Sequence, residues 1–139
     1  GQTIGSVGEV RNILFNNITA KSENGVYVGG EPGKISNIRF QNVDLEIDKT
    51  TQYEGGIYDL RPSDTIGILK AGTSGFFLHQ AETISIKDCS VRWGKNRMPY
   101  FEYVVKAENI EGLEIVGLNG QAALPGIIEP VSFKNCEII

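Results

Sequence analysis

The 139-residue sequence lacks any apolar run near the roughly 18 residues that a membrane-spanning helix needs, so we predict no membrane partner. It also lacks a basic cluster: its 13 Lys and Arg are scattered and the net charge is -4, which argues against a nucleic-acid partner. No GxGxxG motif and no Gly-rich loop ending in Lys-Ser or Lys-Thr is present, so we predict no nucleotide site. A metal site needs clustered ligands, and the single histidine, His79, stands in no such cluster in the sequence, so we predict neither a metal nor a cofactor.

Helical signals are poor as well. No long window carries apolar residues at the i, i+3, i+4, i+7 spacing of an amphipathic helix. Short runs of Ile, Val and Phe alternate instead with Gly, Asn and Asp, which is the pattern of strands joined by tight bends. Gly accounts for 17 of the 139 residues, more than the average protein has, which also indicates many turns. The sequence therefore predicts an all-β protein.

One six-residue phrase recurs along the chain. It reads apolar, variable, apolar, variable, then Asn, Asp or Gly, then apolar. The copies are ILFNNI (13–18), IRFQNV (38–43), ISIKDC (84–89), LEIVGL (113–118) and VSFKNC (131–136). The fifth position falls at 17, 42, 88, 117 and 135, so successive copies are 25, 46, 29 and 18 residues apart. Alternation with period two predicts a half-buried strand, and Asn, Asp or Gly at a fixed place predicts a left-handed bend.

A second phrase lies between the copies, as NGVYVG (24–29) and SGFFLH (74–79), and TIGS (3–6) fits ahead of the first copy. Each unit then holds three short strands. Repeats of this period predict a solenoid, and strands without helices predict a parallel β-helix of about five coils. We predict a single domain over residues 1–139 with a loop insertion at about 46–74. The alternative is an antiparallel sandwich whose repeats are coincidental.

The predicted coils place equivalent residues above one another. The Asn at each bend should stack on the Asn of the next coil as an amide ladder. Cys89 and Cys136 both follow a bend, so they should occupy equivalent places two coils apart, about 10 Å at the spacing of stacked strands. That distance is too long for a disulfide. We therefore predict two free thiols that face inward.

Several segments resemble glycoside hydrolase family 28, the polygalacturonase and rhamnogalacturonase group. The stretch GQTIGSVG (1–8) resembles the family's Gly-His-Gly-x-Ser-Ile-Gly-Ser-x-Gly from its second Gly onward, and SENGVYVG (22–29) resembles Ser-Asp-Asn-Gly-x-Arg-Ile-Lys. The segments WGKNR (93–97) and AENIEGL (107–113) look like those of gut-type bacterial relatives. The resemblance implies a right-handed parallel β-helix, inverting hydrolysis of a pectin-like polysaccharide in the parent protein, and a secreted or periplasmic location.

The chain departs from the family's catalytic pattern. The resemblance puts the family's catalytic His just before Gly1 and its acidic pair earlier still. The opening residues also show neither a signal peptide nor an initiating Met. We therefore expect a fragment without the two carboxyls that inverting hydrolysis requires. The family's substrate-binding Arg and Lys would fall on Tyr27 and Gly29, which do not match. We predict no catalytic residue within this chain and no glycosidase activity from it alone.

Binding residues are predicted on the second phrase and on two loops. Period two puts Tyr27, Phe77 and His79 on the outside of neighbouring coils, where aromatic rings can stack on sugar rings. The predicted substrate-binding set is Tyr27, Phe77, His79, Asp59, Arg61, Trp93, Arg97 and Tyr100. The last three lie in the loop WGKNRMPY (93–100) and would form a wall, while the Asp-Arg pair lies in the insertion.

Each of these residues also has a structural explanation. The aromatic side chains can pack under a loop, and Asp59 and Arg61 can pair to hold the insertion. His79 can be a general base, but a lone His is more often structural.

Three functions remain open from the sequence. The chain is part of a polysaccharide-acting glycoside hydrolase, or a carbohydrate-binding β-helix without catalysis, or a structural module. The expected partner is a polysaccharide or oligosaccharide. A β-helix cut at both ends exposes unpaired strands, so the sequence also predicts end-to-end self-association.

Overall fold

The computed structural model describes residues 8–63 and 66–139. These residues form nine strands: β1 (Val10–Ser22), β2 (Val26–Gly29), β3 (Ile35–Ile47), β4 (Ile57–Asp59), β5 (Ile68–Lys70), β6 (Phe76–Lys87), β7 (Ser90–Trp93), β8 (Val105–Val116) and β9 (Val131–Ile138). The described part of the chain contains no helix, and therefore none that is long and apolar enough to cross a membrane. The predicted all-β class is confirmed. The stretches TIGS (3–6) and most of GQTIGSVG (1–8) lie outside the described residues.

Seven strands form one sheet in which every pair is parallel. Its order is β1-β3-β6-β8-β9, with β2 added to β6 and β7 added to β3. Parallel pairing between consecutive strands requires a long return connection, which a hairpin-built antiparallel sandwich does not have. The sandwich alternative is therefore wrong for the described residues. The strands β4 and β5 form a separate antiparallel pair. In the sequence they lie between β3 and β6, within the predicted insertion.

The strand register confirms four of the five copies of the first phrase. Their first residues stand opposite one another on β1, β3, β6 and β8, and these are Ile13, Ile38, Ile84 and Leu113. The register also confirms the second phrase, because Val26 pairs with Phe76 and Gly29 with His79. Similar sequences thus pair because inward apolar positions must coincide on neighbouring strands for both to be buried.

The predicted position of the fifth copy is wrong. Val131 pairs with Val105, so Asn135 lies opposite Asn109 and not beside Gly117. The reason is that both phrases share the same alternation and the same bend, so the pattern cannot distinguish them. The shorter spacing of 18 residues before this copy was the only sequence signal of the difference.

Left-handed backbone occurs at every predicted bend. The φ angles are positive at all five positions: Asn17 58°, Asn42 53°, Asp88 52°, Gly117 69° and Asn135 52°. The amide ladder is confirmed where the Asn42 side chain donates a hydrogen bond of 2.7 Å to Asn17 Oδ1. Two further amide pairs were not predicted: Asn37 donates to Asn12 at 2.9 Å, and Asn135 donates to Asn109 at 2.7 Å. The protein therefore bends at three places along its long strands, each marked by its own column of residues.

Replacing Asn42 tests the ladder. Asn42→Gly keeps the left-handed backbone and loses the amide hydrogen bond, so we expect a loss of about 1 kcal/mol in the free energy of unfolding. Asn42→Ala also loses the hydrogen bond, and alanine tolerates the left-handed region less well than asparagine or glycine. The alanine variant should therefore be about 1 kcal/mol less stable than the glycine variant. Urea denaturation of the two variants measures both terms. Equal stability of the alanine and glycine variants would show that the positive φ costs nothing here.

The core lies along the inward side of the long strands. The stacked aromatic rings of Phe15 and Phe40 lie with centroids 5.1 Å apart, and Phe40 contacts Phe76 edge-on at 5.3 Å. Inward residues of β3, β6 and β8 are almost fully buried, whereas Phe15 on β1 and Phe133 on β9 are each 39% exposed. This exposure follows from the sheet order, since β1 and β9 each have a neighbour on one side. The predicted end-to-end association of these edges stays a prediction.

The cysteines are both free. Cys89 is buried as predicted, and its thiol lies 3.7 Å from the carbonyl oxygen of Phe40. Cys136 is only half-buried and pairs in register with Ile110. The prediction that the two occupy equivalent places is therefore wrong, and it fails for the same reason as the fifth copy of the phrase.

Candidate functional site

Two rows of side chains point outward from β2, β6 and β8. Phe76 and Leu78 are fully buried, so the alternate residues of the same strand face away from the core. The register places the equivalent residues of the neighbouring strands beside them. We call this surface the outer strip, and it consists of Tyr27, Gly29, Phe77, His79, Lys106 and Glu108.

The first row of the outer strip is covered by the insertion. Tyr58 on β4 packs against Tyr27 at a centroid distance of 5.2 Å and against Phe77 at 5.8 Å. Tyr27 and Phe77 meet edge-on at 5.3 Å. Phe77 is consequently only 5% exposed, so the alternative that it packs under a loop is confirmed. Little of its ring is left for a sugar, and its assignment as a binding residue stays a prediction. Burial raises the pKa of Tyr58 to about 12, so its hydroxyl stays protonated at neutral pH.

Asn24 fixes the insertion in this position. Its side-chain amide donates a hydrogen bond of 3.2 Å to the backbone oxygen of Ile57, at the start of β4. Its carbonyl oxygen accepts a hydrogen bond of 3.2 Å from the Thr73 hydroxyl, just before β6. One side chain therefore joins the second phrase, the insertion and the strand that carries Phe77. The sequence showed Asn24 as part of a repeat but gave no sign of this contact.

The second row of the outer strip carries the polar groups. His79 Nδ1 lies 3.5 Å from Glu108 Oε2 on the neighbouring strand, and the His79 side chain is 37% exposed. The other carboxylate oxygen of Glu108 lies 3.9 Å from Lys106 Nζ. Lys106 in turn stands over the Phe77 ring, 4.8 Å from its centroid. Cation–π contact and ion pairing thus connect the aromatic row to the polar row.

Gly29 begins the second row without a side chain of its own. A Cβ atom there would overlap the hydroxyl of Tyr27, which bends over Gly29 from two residues earlier. The Tyr27 hydroxyl therefore takes the place beside His79 that a side chain at position 29 would fill. Burial, with a smaller contribution from Glu108, raises the pKa of Tyr27. A tyrosine hydroxyl is protonated at neutral pH and can donate a hydrogen bond.

Sequence reasoning missed Lys106 and Glu108. The signal was present, because KAENI (106–110) aligns with FLHQA (77–81) once the strand register is known.

Trp93, Arg97 and Tyr100 make contacts within the protein. Trp93 Nε1 donates a hydrogen bond of 2.8 Å to the backbone oxygen of Gln121, and Arg97 donates one of 3.0 Å to that of Ala123. The Tyr100 ring meets Phe101 edge-on at 5.3 Å. These contacts hold the 93–101 segment against residues 121–123. They fit the packing alternative, and a wall for a sugar site stays a prediction.

Asp59 and Arg61 pair within the insertion. The Arg61 guanidinium donates two hydrogen bonds to the Asp59 carboxylate, at 2.8 and 2.7 Å, and both side chains are more than half exposed. Hydrogen bonding to Arg61 lowers the pKa of Asp59 to about 2. This confirms the structural explanation, in which Asp59 and Arg61 pair with each other. A sugar contact by either residue stays a prediction.

No three side chains of the types His, Cys, Asp or Glu in the described ranges lie close enough to hold a metal ion. The second row presents a tyrosine hydroxyl, an imidazole and a carboxylate, which are groups that donate and accept hydrogen bonds. No protein-family model, curated protein or solved structure matches the chain. Its relation to glycoside hydrolase family 28 stays a prediction from the residues quoted above.

Proposed function

We propose that this chain is a section of a right-handed parallel β-helix and that its outer strip binds a carbohydrate. The helical path is supported by the parallel register of β1, β3, β6 and β8, because each strand repeats the phrase of the one before it. β2 adds to β6 and β7 adds to β3 in the same direction, as successive coils require. The similarity in sequence supports a parent protein of the family 28 hydrolase type, secreted or periplasmic.

The observation that carries the binding proposal is the polar row. The Tyr27 hydroxyl, His79 and Glu108 stand on three adjoining strands, partly open to solvent and beside an aromatic cluster. A few placed donors and acceptors beside apolar and aromatic side chains, held on rigid strands, are the usual composition of a small-molecule site. Strands hold their spacing near 4.8 Å, so these groups are positioned before a ligand arrives.

Binding without hydrolysis is the proposed role of this section. Inverting hydrolysis needs two carboxyl groups on either side of the scissile bond, with room for water. The outer strip contributes one carboxylate, and Glu108 is engaged with His79 and Lys106. In this proposal the catalytic carboxylates belong to other coils of the parent protein, and the chain by itself turns over no pectic substrate.

A structural role is the second candidate. It is favoured by the internal contacts of Phe77, Trp93, Arg97 and the Asp59–Arg61 pair. Residues used to hold loops in place leave less surface for a ligand. A sugar-binding experiment separates the two candidates.

We expect the chain to bind trigalacturonic acid or cellotriose, which represent acidic and neutral glycans, in a calorimetric titration. Tyr27→Phe removes one hydrogen-bond donor and keeps the packed ring, so it should weaken binding about fivefold, or ~1 kcal/mol. Lys87→Ala is the control, because Lys87 lies on β6 beyond two bends and pairs with Glu114 at 2.9 Å. A folded chain that binds neither sugar would favour the structural role.

A further inference from the structure

The environment of His79 restricts where its proton can be. Nδ1 is buried and has no hydrogen-bond partner among the described residues within standard geometry. The atom that faces it is Glu108 Oε2, at 3.5 Å. A buried nitrogen without a partner is costly, and a small approach of the carboxylate would satisfy both groups.

The charge of Glu108 decides the tautomer. An ionised carboxylate only accepts hydrogen bonds. If Nδ1 carried no proton, its lone pair would face a lone pair of Glu108 Oε2, and the two would repel each other. A neutral His79 therefore carries its proton on Nδ1. Lys106 reinforces this arrangement, because it draws the other oxygen of Glu108 and is itself held over Phe77. The titratable groups nearest in register on the adjoining strands are Tyr27 on β2 and Lys134, the residue paired with Glu108 on β9.

The consequence concerns the other ring nitrogen. With the proton on Nδ1, Nε2 holds a free lone pair and becomes a hydrogen-bond acceptor. The Tyr27 hydroxyl lies over Gly29 on the preceding strand, and a protonated phenol can donate a hydrogen bond. An acceptor and a donor thus stand on neighbouring strands of the same row.

We propose that His79 and Glu108 form a hydroxyl-recognition dyad in which Glu108 fixes the tautomer and His79 Nε2 accepts a hydrogen bond from a sugar hydroxyl. The Tyr27 hydroxyl donates to the adjacent oxygen of the same ring, so the pair selects neighbouring hydroxyl groups. This inference rests on the proposed carbohydrate binding and names the atoms that carry it. Glu108 acts through His79 and is a positioning residue.

The tautomer can be measured without any ligand, because the chain contains one histidine. We expect ¹⁵N NMR at about pH 8.5, well above the usual pKa of a histidine, to show a protonated Nδ1 and an unprotonated Nε2. Glu108→Leu should shift the ring toward the Nε2-protonated form that isolated histidine side chains prefer. Glu111→Leu, an exposed carboxylate on the same strand, is the control and should change nothing. An Nε2-protonated ring in the unaltered protein would overturn the dyad.

Binding to cellotriose and trigalacturonic acid then tests the acceptor. His79→Leu should weaken binding about five- to tenfold, and His79→Gln, whose amide oxygen can accept in the same place, should restore most of it. Equal loss in both variants would overturn the acceptor role. The Nδ1-protonated form in a protein that binds neither sugar would support the fixed tautomer and reject the carbohydrate proposal, so the two failures are distinguishable.

Discussion

Replacing Phe40 by alanine is expected to destabilise the protein by about 3–5 kcal/mol. Phe40 is 3% exposed and its ring lies between Phe15 on one neighbouring strand and Phe76 on another. The truncation removes a buried aromatic ring and leaves a cavity that strands on both sides hold open. The midpoint of urea denaturation should fall while the slope stays constant, which indicates a change in stability alone.

The repeat supplies a matched control for this change. Phe15 has the same place in the first copy of the phrase, but it has a strand on one side and is 39% exposed. Phe15→Ala should therefore cost about 1–2 kcal/mol, since less apolar area is lost and no closed cavity forms. Equal losses in the two variants would contradict the strand order, because they would require Phe15 to be covered as completely as Phe40.

Replacing Gly25 by alanine should cost about 3 kcal/mol or more. A Cβ atom at this position would overlap the backbone oxygens of Ser74 and Gly75, and backbone atoms in a packed sheet cannot give way as a flexible side chain can. The close approach allows Val26 to donate a hydrogen bond of 2.8 Å to Gly75, which begins the pairing of β2 with β6. Thermal or urea denaturation measures the loss.

The substitution should also damage the outer strip, because β2 carries Tyr27 and β6 carries His79. Loss of the NMR signals that report contacts between β2 and β6 would show this damage directly. Gly8→Ala is the control, since a Cβ at Gly8 meets no atom within 4 Å and stability should change by less than about 0.5 kcal/mol. A Gly25→Ala variant as stable as the Gly8→Ala variant would contradict the close contact of Gly25 with Ser74.

The predictable part of the site was its strand register. NGVYVG and SGFFLH share one pattern, and this pattern alone predicts that Tyr27 lies beside Phe77 and Gly29 beside His79. What covers these residues was not predictable. Tyr58 lies in a segment without repeat character, and its position over Phe77 depends on the contact of Asn24 with Ile57, which is 33 residues away.

The sequence by itself determined the all-β class, the bends at Asn17 and Asn42, and which positions face inward. It could do so because alternation and left-handed bends are local properties, and because stacked strands must match their apolar residues to be buried. Only the tertiary structure decided that Asn135 pairs with Asn109, and that Glu108 faces His79. Those facts depend on which strands become neighbours, and two phrases with the same alternation fit more than one neighbour until the whole sheet is assembled.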